Sequence, residues 1–243
     1  MKNFTHKNFI IHQFESLNST NSYAFELADL RQIFHGEIIM SHQQNQGRGR
    51  QNRNWISPIG NLYFSLVLQP KILVPKIWQI SFVAIVALRL ATQKLTKNLV
   101  QNKWPNDLLI EQKKVAGILL ESKISHQNCE FVILGIGVNI NSKPENTIFP
   151  AASLKDFGIE ISSETLLKNF LNEFEKIYQN WLDFGFENIR KIWLEKAYRL
   201  GEKISVKINE EELEGIFENF DIDGNFLLKI DEKILKILTN DVV

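Results

Sequence analysis

Cysteine is almost absent from this 243-residue chain: Cys129 stands alone, so no intramolecular disulfide can form and the fold must hold without covalent staples. The five histidines, His6, His12, His35, His42 and His126, form no cluster, and no Cys/His pair has zinc-ligand spacing. An excess of charge is missing too. With 28 Lys+Arg against 28 Asp+Glu, the global pull on which bulk nucleic-acid binders rely is gone, and any basic site has to be local. The most apolar run, Phe82 to Leu88, is interrupted by Arg89, short of the roughly 20 residues that cross a bilayer. Met1 to His12 has no continuous apolar core of a signal peptide. A soluble protein of the reducing cytoplasm is the expectation. There is no Walker loop and no Gly-x-Ser-x-Gly elbow, and Gly135-Ile136-Gly137 lacks the third glycine of a dinucleotide fingerprint.

What is present is a large store of apolar residues, 44% of the chain. A chain of this length buries on the order of 70% of its extended surface and fits one large domain, or one plus a small one. Phe9 to Phe14 reads as a strand. Ser19 or Thr20 then N-caps a helix with Tyr23, Ala24, Leu27 and Ala28 on one face. Glu37 to Ser41 is a second strand. From His42 to Asn54 every residue is polar, charged or glycine, which predicts a loop. Leu62 to Leu68 is a strand, and Pro75 opens a central helix of about twenty residues. A meander of three strands follows, Asp107 to Ile110, Val115 to Glu121 and Phe131 to Asn139, with Gln112-Lys113-Lys114 in or beside a turn between the first two. Leu166, Leu167, Phe170, Leu171, Phe174, Ile177, Tyr178 and Trp181 keep helical steps, and a shorter helix covers Phe186 to Ala197. Beyond Gly201, four short strands, Ile204 to Ile208, Leu213 to Phe220, Phe226 to Ile230 and Ile234 to Leu238, suggest a small barrel. The texture changes near Tyr198 to Gly201, which separates residues 1–198 from 199–243.

Three stretches carry chemistry. In Gln44-Asn45-Gln46-Gly47-Arg48-Gly49-Arg50-Gln51-Asn52-Arg53-Asn54-Trp55, arginines separated by glycines offer a backbone that can wrap an anion and planar donors that fork onto carboxylate or phosphate oxygens. The same composition suits a solvated turn or an Arg-Gly nucleic-acid tail, but Trp55 before Ser57-Pro58 favours a loop that closes over something. The second is Lys103-Trp104-Pro105-Asn106-Asp107, followed by Lys114-Val115-Ala116-Gly117. Short polar groups at a strand start can meet Mg²⁺ or an incoming amine, and a strand glycine admits close approach of another group. The third is Gly135-Ile136-Gly137-Val138-Asn139, which by itself indicates packing more than cofactor binding.

In this order the stretches resemble the biotin protein ligases, on Ser19-Thr20-Asn21, Gln44, Gly47-Arg48-Gly49-Arg50, Arg53, Trp55, Lys103-Trp104-Pro105-Asn106-Asp107, Lys114, Gly117 and Gly135 to Asn139. The departures are Gln51-Asn52, at positions that vary in the family, and Asn240-Asp241-Val242 where Gly-Asp-Val is common. The resemblance implies an α+β fold: a class II synthetase-like, biotin/lipoate-transferase catalytic domain, a mixed sheet flanked by helices, with a C-terminal SH3-like barrel. It implies a ligase that joins biotin to ATP as biotinyl-5′-AMP and passes the biotinyl group to a lysine of a biotin carboxyl carrier protein, in acetyl-CoA carboxylase or another biotin-dependent carboxylase. Lys114, Arg48, Arg50 and Asp107 would be catalytic. Ser19, Thr20, Asn21, Gln44, Gly47, Arg48, Gly49, Arg50, Lys114 and Gly117 would bind biotin. Arg50, Arg53, Trp55, Lys103, Asn106, Lys114 and Asn139 would bind ATP, and Asp107 would meet Mg²⁺. Only about eight residues precede the first expected strand, too few for a DNA-reading helix pair, so no DNA partner is expected; no membrane is expected either, and a homodimer is compatible with the sequence. Two rivals are a lipoate or octanoate ligase of the same superfamily, for which the arginine loop has no evident use, and a single-stranded nucleic-acid module. Zero net charge and the acidic run Glu210, Glu211, Glu212 and Glu214 weigh against the latter.

Overall fold

The computed structural model describes residues 1–126, 128–147, 149–208 and 211–238. Asn209-Glu210, between the third- and fourth-last expected strands, and the terminal Asn240-Asp241-Val242 lie outside the described residues. One eight-stranded sheet is formed by β1 (Lys2–His6), β2 (Phe9–Leu17), β3 (Glu37–Gln44), β4 (Leu62–Leu68), β5 (Val100–Lys103), β6 (Asp107–Ile110), β7 (Lys113–Ser125) and β8 (Asn128–Val138), its central strands β4 and β8 being apolar runs buried on both faces. Its order is β1-β2-β3-β4-β8-β7-β6-β5. All pairs are antiparallel except β2 with β3, which are joined through helix α1 (Thr20–Asp29).

Both faces of the sheet are used. Ile39, Val67, Phe131 and Ile133 point to one face and pack with Ala24 and Ala28 of α1. Their strand neighbours Ile38, Leu66, Val132 and Leu134 point to the other, where α2 (Gln79–Gln93), α3 (Ser163–Phe184) and α4 (Phe186–Leu194) lie. The α2 region, Val74–Gln93, is long and apolar enough to cross a membrane by composition, more than the short run before Arg89 suggested. Here it is a core helix, because every residue from Phe82 to Leu88 is at most 2% exposed. The lone turn Val74–Lys76 carries Pro75, so the α-helix proper starts at Gln79 rather than at the proline.

Two strands escape the sequence reading. β1 closes on β2 through a tight turn with Lys7 at φ 53. β5 reads Val-Gln-Asn-Lys and is half polar because Asn102, fully buried, donates its amide to the Trp193 carbonyl at 2.9 Å instead of meeting solvent.

The C-terminal strands β9 (Lys203–Ile208), β10 (Glu211–Phe220), β11 (Phe226–Ile230) and β12 (Lys233–Ile237) form an antiparallel sheet in the order β12-β11-β10-β9, of the SH3-like kind expected. Phe217, Phe220, Phe226 and Leu228 belong to the same apolar core as α2 and α4. Phe220 packs on Phe82 and Trp193 with centroids 4.8 and 5.1 Å away, and its carbonyl accepts from Arg190 Nε at 2.8 Å.

Candidate active site

The period-two alternation that buries Phe131 and Ile133 beneath α1 carries Gly135 and Gly137 onto the same face, beyond the helix N-terminus. With no side chains there, the sheet is bare and a cleft opens. Asn21 and Trp55 fill part of the space: a Cβ on Gly135 would stand 2.0 Å from Asn21 Oδ1, and one on Gly137 would stand 2.4 Å from Trp55 Nε1. Strand β7 adds Gly117, paired to Gly137, and β6 adds Asp107, paired to Gly117. The cleft encloses about 1530 Å³. A pocket for one drug-sized ligand needs roughly 300 to 1,000 Å³, so two substrates fit.

One end is a neutral hydrogen-bonded wall. Ser19 caps α1. The Gln44 carboxamide oxygen accepts from Thr20 N at 2.8 Å and Thr20 Oγ1 at 3.1 Å, while its Nε2 donates to Ser57 Oγ at 2.9 Å. Ser65 donates to Asn21 Oδ1 at 2.6 Å, which orients the Asn21 amide.

The expected loop is more structured than its composition suggested. Its first residues, His42 to Gln44, finish β3, and the rest folds as a small hairpin. Trp55 N donates to Gly47 O at 2.9 Å and Gly49 N to Arg53 O at 2.7 Å. Gln51 and Asn52 sit at φ 52 and 57 in the turn, with Arg53 N bonded to Arg50 O at 3.1 Å. Two consecutive left-handed residues make a primed turn, the hairpin type that matches strand twist. Gly47 does not line the cleft. It is a close-approach position, since a Cβ would lie 2.3 Å from Trp55 O. Every other expected site residue lines the cleft.

The opposite end is cationic around one carboxylate. Lys114 Nζ stands 2.7 Å from Asp107 Oδ1, off the hydrogen-bonding axis, and Lys103 Nζ is 4.0 Å from Asp107 Oδ2. Strict alternation from Gly117 would send Lys114 to the far face. A bulge corrects this: Leu108 pairs with Ala116 but Leu109 pairs with Lys114, so Val115 is an extra residue and Lys114 is turned towards Asp107. Lys114 N also donates to Pro150 O at 2.8 Å, which holds β7 extended just past the turn at Glu111-Gln112, beside which the sequence placed it. Burial pushes the Lys103 ammonium below the ordinary lysine range; Asp107 opposes this, and Lys114, Arg53 and Arg50 add to it. Burial lowers Arg50 likewise, against the pull of Asp107. Arg50 Nη1 reaches Asn106 Oδ1 at 3.4 Å, and Lys103 Nζ lies 4.6 Å from the centre of the Phe149 ring.

Asn139, 1% exposed, donates Nδ2 to Ala152 O and leaves Oδ1 unpaired at the cleft wall. Trp104 lines the cleft and also braces the fold. Its Nε1 donates to Gly224 O at 3.1 Å and its ring lies 5.0 Å from Phe226, which ties the motif to the C-terminal sheet. Among the described residues no group of three or more His, Cys, Asp or Glu could hold a metal, and one carboxylate, Asp107, ringed by cations, does not by itself fit a resident Mg²⁺. Sequence reasoning missed Gly135 and Gly137 as the cleft floor, Ser65, Phe149 and Glu121. Glu121 shares the face of Gly117 by period two, a signal that was available.

Residues 13–139 match the biotin/lipoate A/B protein ligase family. The chain is 34% identical over 239 residues to the bifunctional ligase/repressor BirA of Bacillus subtilis, covering 93% of this chain and 71% of that protein. It is 37% identical over 223 residues to the biotin--[acetyl-CoA-carboxylase] ligase of Paracoccus denitrificans, covering 87% and 91%. The structure is similar to that of the biotin protein ligase from Aquifex aeolicus in complex with biotin and ATP, with TM-score 0.82, 26% identity and coverage of 96% and 97%.

Proposed function

Because the chain belongs to the biotin/lipoate A/B protein ligase family, we infer that it is an ATP-dependent biotin ligase acting on biotin carboxyl carrier proteins. Biotin and ATP are its substrates. A biotin carboxylate oxygen attacks the α-phosphorus of ATP, the bond to the β-phosphate oxygen breaks, and pyrophosphate leaves. A carrier lysine amine then attacks the acyl carbon of biotinyl-5′-AMP, forming an amide and releasing AMP.

Both partners in the first step are anions, so charge repulsion dominates the barrier and fixed cations lower it. The observation that carries the assignment of residues is the convergence of Lys114, Lys103 and Arg50 on Asp107 at one end of a cleft whose other end is neutral. Lys114, Arg48 and Arg50 neutralise carboxylate and phosphate oxygens. Lys103, Arg53, Trp55, Asn106 and Asn139 face the nucleotide. Ser19, Thr20, Asn21 and Gln44 face the ureido ring, with Gly117 beneath the acyl chain and Gly47 and Gly49 shaping the hairpin. Asp107 meets the ammonium of the incoming carrier lysine. Any Mg²⁺ enters with the ATP phosphates. On the same reading residues 1–198 form the catalytic domain and 199–243 the SH3-like one, and the enzyme works in the cytoplasm, away from membranes. Among the described residues β1 is an edge strand of the sheet, and a second copy would add there.

ATP–pyrophosphate exchange tests this. Exchange driven by biotin and not by lipoate or octanoate is expected. Exchange driven by lipoate or octanoate instead would replace the reading with a lipoate-type ligase.

A further inference from the structure

Glu121 belongs to none of the groups assigned above, and it joins two of them. It lies on β7, two residues beyond Leu119 and four beyond Gly117, and pairs with Ile133 on the cleft face of the sheet. One of its oxygens, Oε2, accepts from Arg48 Nη2 at 2.6 Å and from Asn21 Nδ2 at 2.9 Å. Asn21 is held from its other side by Ser65. The carboxylate therefore connects a rigid point, the first turn of α1, to the arginine hairpin. The hairpin is otherwise fastened to the neutral wall by its base, where Asn45 N and Gln46 N donate to Leu17 O and Asn18 O at 3.0 and 2.8 Å. A guanidinium carries five N–H donors in a planar fork. The Nη2 contact leaves the rest of the Arg48 fork available to a ligand and fixes the plane in which it lies.

We propose that Glu121 is a positioning residue, the latch that fastens the arginine hairpin over the neutral end of the cleft through Arg48. The inference rests on the reading that this end takes the biotin head group. The Arg48 and Glu121 side chains are 40% and 27% exposed, and a pair so exposed contributes little to global stability. Its effect falls on the local opening of the hairpin and on biotin capture, not on folding.

The test compares the full-length wild type with Glu121→Gln, Arg48→Gln and the double variant, first by trypsin nicking at Arg50 and Arg53 without any ligand. Glu121→Gln is expected to nick roughly fivefold faster, and the double variant no faster than Arg48→Gln alone, since both changes remove one contact. The second readout is exchange kinetics, in which Glu121→Gln raises the biotin KM by a similar factor and leaves most of kcat. Nicking at the wild-type rate, additive effects in the double variant, or cleavage spreading across the chain with a lowered Tm would each overturn the latch. The nicking assay contains no biotin. Failure of biotin-driven exchange in the wild type would thus remove the functional reading while the nicking still decides the latch.

Discussion

The cleft has two walls built on opposite principles. The Gly47–Trp55 hairpin holds no apolar side chain except Trp55, and it is fixed by backbone bonds, one indole and ion pairs such as Arg48 with Glu121. The Lys103–Asp107 wall is set in the core: Trp104 is 8% exposed and packs on Phe226, and Leu108 beside it is fully buried. The polar wall can open at small cost, since apart from the Trp55 indole its contacts are hydrogen bonds and ion pairs exchangeable with water. The apolar wall cannot move without exposing core. Groups that admit and retain a ligand belong on the first kind of wall, and groups that must stand still while charge develops belong on the second.

The largest effect expected from breaking that contrast is on the rigid wall itself. Phe226→Ala removes a ring that is 4% exposed, stacked 4.2 Å from Phe217 and packed against Trp104. It should cost about 3 to 5 kcal/mol of stability in urea unfolding. A loss under about 1 kcal/mol would mean that the C-terminal sheet does not brace this wall. Lys114→Ala comes next, because on the proposed function it removes a charge aimed at the reacting oxygens while leaving the wall in place. Biotin-driven pyrophosphate exchange should fall on the order of a hundredfold, about 3 kcal/mol. Full retention of exchange would remove Lys114 from the chemistry.

Changes on the polar wall should be smaller and of another kind. Arg50→Gly is expected to let biotinyl-5′-AMP escape about tenfold faster, on the order of one charge-assisted hydrogen bond, with adenylate formation still measurable. Release at the wild-type rate would deny the hairpin a retaining role. Tryptic cleavage between Arg48 and Arg53 should likewise slow when biotin and ATP are added; equal rates with and without them would show that ligands do not order this wall.

The smallest expected effect is on pH dependence. Burial disfavours the charged form of Lys103, so it loses its proton at a lower pH than the ordinary value of about 10.4. The unfolded chain keeps that proton longer, so stability rises with pH between the folded and the ordinary value, while the cationic form needed at the nucleotide is lost. Exchange should therefore decline on the alkaline side below a pH of about 10.4, and Lys103→Arg should move that decline upward. An unmoved limb would assign it to another group.

Much of this was legible along the chain. The apolar runs of β4 and β8, the helical steps of α3 and the Ser19 cap are local patterns, and each element appears where they place it. The motif residues also gather as their order suggested, because Gly117, Gly135 and Gly137 share one face by period two. Less legible was the hairpin, since its order comes from backbone bonds and from left-handed Gln51 and Asn52, neither of which leaves an apolar signature. β5 was hidden because Asn102 finds a partner 91 residues away in the Trp193 carbonyl.

Away from the bulge and from β1 and β5, the sequence by itself determined which residues share a sheet face and which segments are helix, because those are consequences of 3.6- and 2-residue periods acting on neighbours. Only the tertiary structure decided where Lys114 points, what Trp104 does and that Glu121 joins the hairpin to α1. The bulge at Val115 arises from pairing β7 with β6 on one side and with Pro150 and Ala152 on the other. Trp104 reaches Gly224 across 120 residues. Such choices depend on which distant backbone arrives alongside, and that is settled by burying the whole core at once rather than by anything a short stretch of chain contains.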